Sequence, residues 1–243
     1  MKAERVAEGV HRVLKGYVNA YVIEAGEGLI LVDTGLPKRA DRIAGAVRDL
    51  GRMAKEIRHV LVTHHHLDHT GSLAALCRRI DATVYCSPAD APIVRGERMP
   101  PRYNRARVSG RVLGPVLERI GPKRAEARAV DHALADGEVL PLAGGLKVIT
   151  TPGHTAGHVS FLLDRDGGVL VAGDAAGARG SKAGPPVGAV FGMSTEDLDE
   201  AVRSFHKLAG FDFEVALPGH GNPVRGGASE LFRKSLPRFP LER

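Results

Sequence analysis

Positions 64–69 read His-His-His-Leu-Asp-His, which puts four metal-capable side chains, His64, His66, Asp68 and His69, into six positions. Imidazole and carboxylate ligands suit zinc or another first-row divalent ion and need no thiolate beside them. In an extended segment alternate side chains point the same way, so His64 and His66 can face one ion together while His65 points away. Asp68 and His69 follow where the chain turns, and they reach the same space from another side. The competing reading is a solvated histidine-rich loop. That reading suits three consecutive histidines alone, but not a cluster placed directly after a strand-like run, where a site would be built.

Two elements must hold the cluster. Ile57–Thr63 is short and rich in β-branched residues, so it reads as a buried strand. Asp68–Ile80 has helical spacing at Leu73, Leu76 and Ile80. The motif therefore lies at a strand-to-helix junction, the edge of an α/β sheet at which sites gather. Upstream, the apolar runs Val10–Leu14, Val18–Ile23 and Leu29–Val32, punctuated by Gly16, Gly26 and Gly28, read as an antiparallel meander. The last run ends at Asp33. A carboxylate there could accept the second N–H of a ligand histidine and fix its tautomer, or it could be a turn residue bonding its own backbone.

The pattern also predicts a helix over Pro37–Leu50, with Pro at its start and Gly51 past its end. A strand over Ala82–Cys86 completes a βαβ rhythm. Further on, Val139–Leu142, Gly145–Thr151, His158–Leu163 and Gly168–Asp174 read as strands. Ser194–Leu208 reads as a helix capped by Ser194, and 228–236 as a short helix.

The pattern His64-x-His66-x-Asp68-His69 resembles the first metal motif of the metallo-β-lactamase superfamily. That resemblance requires a later histidine, then an aspartate, then a final histidine, each after a strand. His154 in Thr-Pro-Gly-His154-Thr-Ala-Gly-His158, Asp174 at the end of Gly-Val-Leu-Val-Ala-Gly-Asp174, and His220 in Leu-Pro-Gly-His220-Gly meet the requirement in order. The resemblance spans residues 9 to about 225. It implies an α/β fold, a four-layer αβ/βα sandwich of two mixed β-sheets flanked by helices. It also implies a pair of metal ions, one held by His64, His66 and His154, the other by Asp68, His69 and His220, with Asp174 bridging. Asp33 and His158 become supporting partners, and Asp68 also handles a proton. The implied cofactors are two zinc ions, with iron or manganese as alternatives. A hydroxide shared by ions about 3.5–4 Å apart would be the nucleophile.

With 243 residues, 43% hydrophobic and 26% charged, the chain has the makeup of one globular domain over 1–243. The N-terminus lacks the apolar core of a signal peptide, and no apolar run approaches a membrane span, so the reading is a cytoplasmic protein without a membrane partner. The formal charge of +6 is mild and disfavours nucleic acid as a partner, because such an excess is most often a solvated surface. Cys77 and Cys86 form no CxxC or zinc-finger pattern and read as free thiols. Residues 88–127 break the rhythm as a basic insertion. From Arg95 to Arg128 there are ten basic residues and three acidic ones, with a short helix around Val112–Ile120. This insertion could be a lid or one wall of the cleft, with Met99 and Tyr103 as candidate substrate contacts, or simply a basic surface. The loop 175–193, with five glycines and two prolines, is expected to shape the pocket.

The expected activity is a dinuclear metal-dependent hydrolase cleaving an ester, thioester or lactone of a small molecule, with a homodimer open as the assembly state. The chain departs from several branches of the superfamily. Asp174 stands where the commoner zinc β-lactamases have Cys. Only 23 residues follow His220, so hydrolysis of glutathione thioesters, which in glyoxalase II goes with a helical C-terminal domain, is not the expected activity. Gly177 lies near the point where lactonases have Tyr. The alternatives are a mononuclear iron persulfide dioxygenase, which shares the ligand pattern, and an RNase Z-like nuclease. The remaining histidines, His11, His59, His132 and His206, read as structural.

Overall fold

A computed structural model describes residues 2–26, 28–106, 108–121, 124–178, 187–190 and 192–241. The first half builds a sheet from β1 (Glu4–Ala7), β2 (Val10–Leu14), β3 (Ala20–Ala25), β4 (Gly28–Val32), β5 (Ile57–Leu61), β6 (Thr83–Cys86) and β7 (His132–Ala133), hydrogen-bonded in that order. The β1–β4 meander is antiparallel, and β4 to β7 run parallel. The parallel crossovers carry α1 (Ala40–Asp49), α2 (Leu67–Thr70), α3 (Leu73–Cys77), α4 (Ala91–Val94), α5 (Val108–Val112) and α6 (Gly114–Ile120). The second half supplies β8 (Val139–Leu140), β9 (Leu146–Thr150), β10 (Val159–Leu163), β11 (Val169–Gly173), the small antiparallel pair β12 (Gly177–Ala178) and β13 (Val187–Gly188), β14 (Val215–Pro218) and β15 (Val224–Arg225). Its sheet has the order β15-β14-β11-β10-β9-β8, and α7 (Leu198–Ala209) crosses between the parallel strands β11 and β14. The last helix is α8 (Ala228–Ser235).

Side-chain alternation along the strands explains the layers. In β4, Leu29 and Leu31 pack with Ile43, Val47, Leu73 and Leu76 of the helices, while Ile30 and Val32 join Val148, Phe161 and Val171 of the other sheet. In β11, Val169 and Val171 face the first sheet, and Leu170 and Ala172 face Phe205, Leu208 and Phe232 of α7 and α8. Both sheets are thus buried on two faces, and the fold is the expected four-layer sandwich. Tyr21 crosses the inner layer and donates its hydroxyl to Pro218 O at 2.7 Å.

Several boundaries differ from the sequence pattern. The strand β1 lacks an apolar run of its own and pairs through backbone bonds to β2. The first helix begins at Ala40 rather than Pro37, because Lys38 sits at φ +67, outside helical space. The helix expected over 68–80 is two short ones: Ser72 breaks it by donating its hydroxyl to Leu36 O and accepting from Arg39 N, both at 2.7 Å. Asp197, not Ser194, caps α7, accepting from Asp199 N and Glu200 N. Among its described residues the insertion carries three helices, α4, α5 and α6, rather than one. Cys77 and Cys86 are free thiols. His11, His59, His132 and His206 bond Glu24, Tyr85, Glu138 and the Phe239 carbonyl, respectively.

Candidate metal centre

Five strands deliver the site from their C-terminal ends. Asp33 follows β4, His64 to His69 follow β5, His154 follows β9, Asp174 follows β11 and His220 follows β14. The structure brings all seven of the implied ligands together. Three groups, His64–His66–His154, His64–His69–Asp174 and Asp68–His69–His220, each have their donor atoms within 4.8 Å of one another. His154 Nε2 lies 3.1 Å from His66 Nδ1 and 3.2 Å from Asp174 Oδ2. His220 Nε2 lies 3.2 Å from Asp68 Oδ2 and 3.3 Å from Asp174 Oδ2. The Asp174 carboxylate therefore stands between the two histidine sets. Gly219 permits this packing, because a Cβ there would strike the Asp174 carboxylate and lie 2.7 Å from His69 Cε1.

The outer nitrogens of four rings are held, which turns the inner ones toward the cluster. His69 Nδ1 donates to Asp33 Oδ2 at 2.7 Å. The same carboxylate accepts from Thr63 Oγ1, and Thr63 Oγ1 in turn meets His64 Nδ1 at 3.0 Å. One aspartate thus sets the tautomers of two rings, and its backbone takes φ +59, an unfavourable conformation for a residue with a side chain. His154 Nδ1 reaches Thr195 Oγ1 at 3.3 Å, and His220 Nδ1 donates to Tyr17 O. His158 uses both nitrogens structurally: Nδ1 meets Thr151 Oγ1 at 2.8 Å and Nε2 accepts from Asp174 N at 2.9 Å.

The arrangement passes a test of fit to metal. Among the described residues, His64 Nε2, His69 Nε2 and Asp174 Oδ1 are buried without a hydrogen-bond partner, and all three face one another. Orphaned buried lone pairs are costly unless something accepts them. The electrostatics agree. Burial pushes His64 and His66 well below the ordinary imidazole range, which keeps them neutral and able to coordinate. Burial opposes charge on His69 and His220 too, but for His69 the carboxylates of Asp174 and Asp33 win and raise it to about 9. For His220, Asp174 and Asp68 win, raising it to about 11. Burial works against the Asp174 carboxylate, yet His69 and His154 hold it well below its usual range. Cations are favoured at this end of the molecule.

The sequence pattern missed four supporting groups. Thr63 adjoins the motif and could have been found from that adjacency. Thr195, the Tyr17 carbonyl and Asp90 carry no spacing signal. Asp90 is 1% exposed and accepts from His65 N (2.9 Å), Thr155 Oγ1 (2.8 Å) and Gly157 N (3.0 Å). It clamps the loop carrying His64–His69 to the loop carrying His154. His65 does turn away from the cluster, with its Nδ1 3.1 Å from Asp90 Oδ2, at an angle that makes no directed hydrogen bond.

The centre opens into a cavity of about 1280 Å³. Met99 and Tyr103 of the insertion line it, together with Val187–Val190 of the 175–193 loop; residues 179–186 and 191 of that loop lie outside the described residues.

A family model described as the metallo-beta-lactamase superfamily matches residues 13–220. The chain is 31% identical to a probable metallo-hydrolase of Bacillus subtilis, over 95% of this chain and 89% of that one. It is 26% identical to a thioesterase of Emericella nidulans over 85% of this chain, and spans 46% of that protein. Among solved structures it resembles BJP-1, a subclass B3 metallo-β-lactamase of Bradyrhizobium japonicum, with a TM-score of 0.70 and 22% identity over 98% of this chain and 91% of that one.

Proposed function

The chain belongs to the metallo-β-lactamase superfamily of metal-dependent hydrolases, and from that membership we propose that it is a dinuclear hydrolase of a small-molecule ester, thioester or lactone. The observation that carries the proposal is the set of orphaned donors: His64 Nε2, His69 Nε2 and Asp174 Oδ1, buried and convergent. His64, His66 and His154 would hold one ion; Asp68, His69 and His220 would hold the other; Asp174 would serve both. The nitrogen and oxygen donor set, without thiolate, suits zinc first, with iron or manganese as alternatives. When bound, such ions supply Lewis-acid polarisation of a carbonyl and a water of lowered pKa.

The chain's own residues do the rest. Asp33, directly and through Thr63, and Thr195 hold the outer nitrogens of His64, His69 and His154 and so aim the inner ones at the cluster. Asp68, half-buried at the cavity wall, is placed to carry a proton between solvent and the reacting group. No Ser or Cys nucleophile is required. The thioesterase among the relatives favours a thioester over a lactone. Among the described residues no helix is long and apolar enough to cross a membrane, and the size of the cavity supports a substrate larger than a simple lactone.

Elemental analysis of protein purified without added metal, with His64→Ala as control, tests the reading. Two zinc ions per chain, reduced in the variant, and hydrolysis in an ester, thioester and lactone screen are expected. One iron per chain with oxygen uptake on persulfides would replace the hydrolase with a dioxygenase.

A further inference from the structure

One cavity is lined both by members of the metal centre, His66, Asp68, His154, Asp174 and His220, and by the basic insertion, through residues 99–103, Pro115 and residues 117–119. The insertion's three glutamates are all engaged. Glu97 pairs with Arg95. Glu118 takes Arg105 and the Tyr103 N–H. Glu126 takes Arg78. Arg102 and Arg119 both line the cavity and are exposed, and among the described residues neither has an ion pair or hydrogen-bond partner. Two uncompensated guanidinium groups therefore line the same cavity as the metal centre, together with the apolar Met99 and Leu117.

We propose that the substrate is an acyl ester or thioester whose far end carries a phosphate or carboxylate, and that Arg102 and Arg119 bind this anion. The assignment rests on the hydrolase reading for its reacting end only. Guanidinium forks match both anions with two parallel hydrogen bonds, which makes arginine the residue for this task. The cavity's 1280 Å³ exceeds the roughly 300–1,000 Å³ of ordinary small-ligand sites, so it has room for a carbonyl, a linker and an anionic tail together. The same charges would draw the substrate in from solution, an effect that salt screens.

The test uses the S-methyl thioethers of pantetheine, 4′-phosphopantetheine and pantetheine 4′-hemisuccinate, titrated calorimetrically into metal-free protein. At least one anionic probe should bind about tenfold tighter than the neutral one, the scale of one charge-assisted contact. Arg102→Ala/Arg119→Ala should erase that gap, and Arg102→Glu/Arg119→Glu should reverse it. Arg111→Ala, exposed and outside the cavity lining, should leave it intact. The phosphate and hemisuccinate arms tell which anion is preferred. Equal binding of all three probes by the wild type, or a gap that survives in the double alanine variant, overturns the proposal. Acetyl thioesters of the same carriers are then given to zinc-loaded enzyme, with KM for the anionic ones expected to rise in the double variant and kcat to stay. If they are not hydrolysed while the binding gap holds, the thioester reading fails and the anion site stands.

Discussion

Replacing Asp90 by Asn tests whether the metal-bearing loops are positioned by the clamp behind them. The carboxylate accepts three hydrogen bonds from two loops, with Gly157 N on Oδ1 and both His65 N and Thr155 Oγ1 on Oδ2. An Asn of equal size keeps one acceptor and must turn its NH2 toward the other set, so at least one buried N–H faces a donor. That mismatch and the lost charge cost about 2–4 kcal/mol together. For a chain of this size each kcal/mol moves the melting temperature by about 2–4 °C, so metal-free Asp90→Asn should melt roughly 4–16 °C below wild type. Zinc affinity should fall about tenfold, as for other residues that orient ligands from behind. The pH dependence gives an independent sign. Burial raises the Asp90 carboxyl, but the His65 ring, the Thr155 hydroxyl and the His65 N–H outweigh it and hold it below the ordinary 3.8. Its contribution is present above 3.8 and lost as pH falls through the lower folded value, so the gap between wild type and variant should narrow only on acidification below 3.8. A variant that melts within about 1 °C of wild type, far below the several degrees expected, and binds zinc unchanged would refute the clamp.

Two other substitutions separate the centre from the scaffold. Gly219→Ala pushes a methyl into the Asp174 carboxylate and against His69; zinc content should fall to one ion or none while the far-UV circular dichroism spectrum stays that of wild type. Asp33→Ala strands Thr63 N–H, Thr63 Oγ–H and His69 Nδ1–H; it should destabilise the metal-free protein by about 3–5 kcal/mol in urea unfolding and abolish binding of the ion assigned to His69.

The sequence carried the placement of the centre because each member closes an apolar run, and strand ends are legible from composition. His154, Asp174 and His220 could be located to the residue from that rule and the resemblance alone. Helix limits were less legible, since they depend on single backbone events: Lys38 at positive φ, the Ser72 hydroxyl taken by Leu36 O, and the Asp197 side chain taken by two N–H groups. Asp90 and Thr195 were illegible for a different reason. Their partners, Gly157 and His154, are 67 and 41 residues away in the chain, and no local periodicity records such a contact.

The proposed ligand sets also divide across the fold in a way that couples metal to folding. His64, His66, Asp68 and His69 hang from the first sheet, and His154, Asp174 and His220 from the second. Each ion would therefore join one sheet to the other, next to the Tyr21–Pro218 bond that already crosses between them. The buried, unpartnered donors at that junction disfavour the folded state when nothing accepts their lone pairs. Binding removes that penalty and adds the mass-action term, about 2.7 kcal/mol at a hundredfold excess over Kd. Such ions would thus act on the same boundary as the inner hydrophobic layer. A weakening of that layer should reach zinc affinity even where it touches no ligand, because the two sheets can close on the ions only in register with each other.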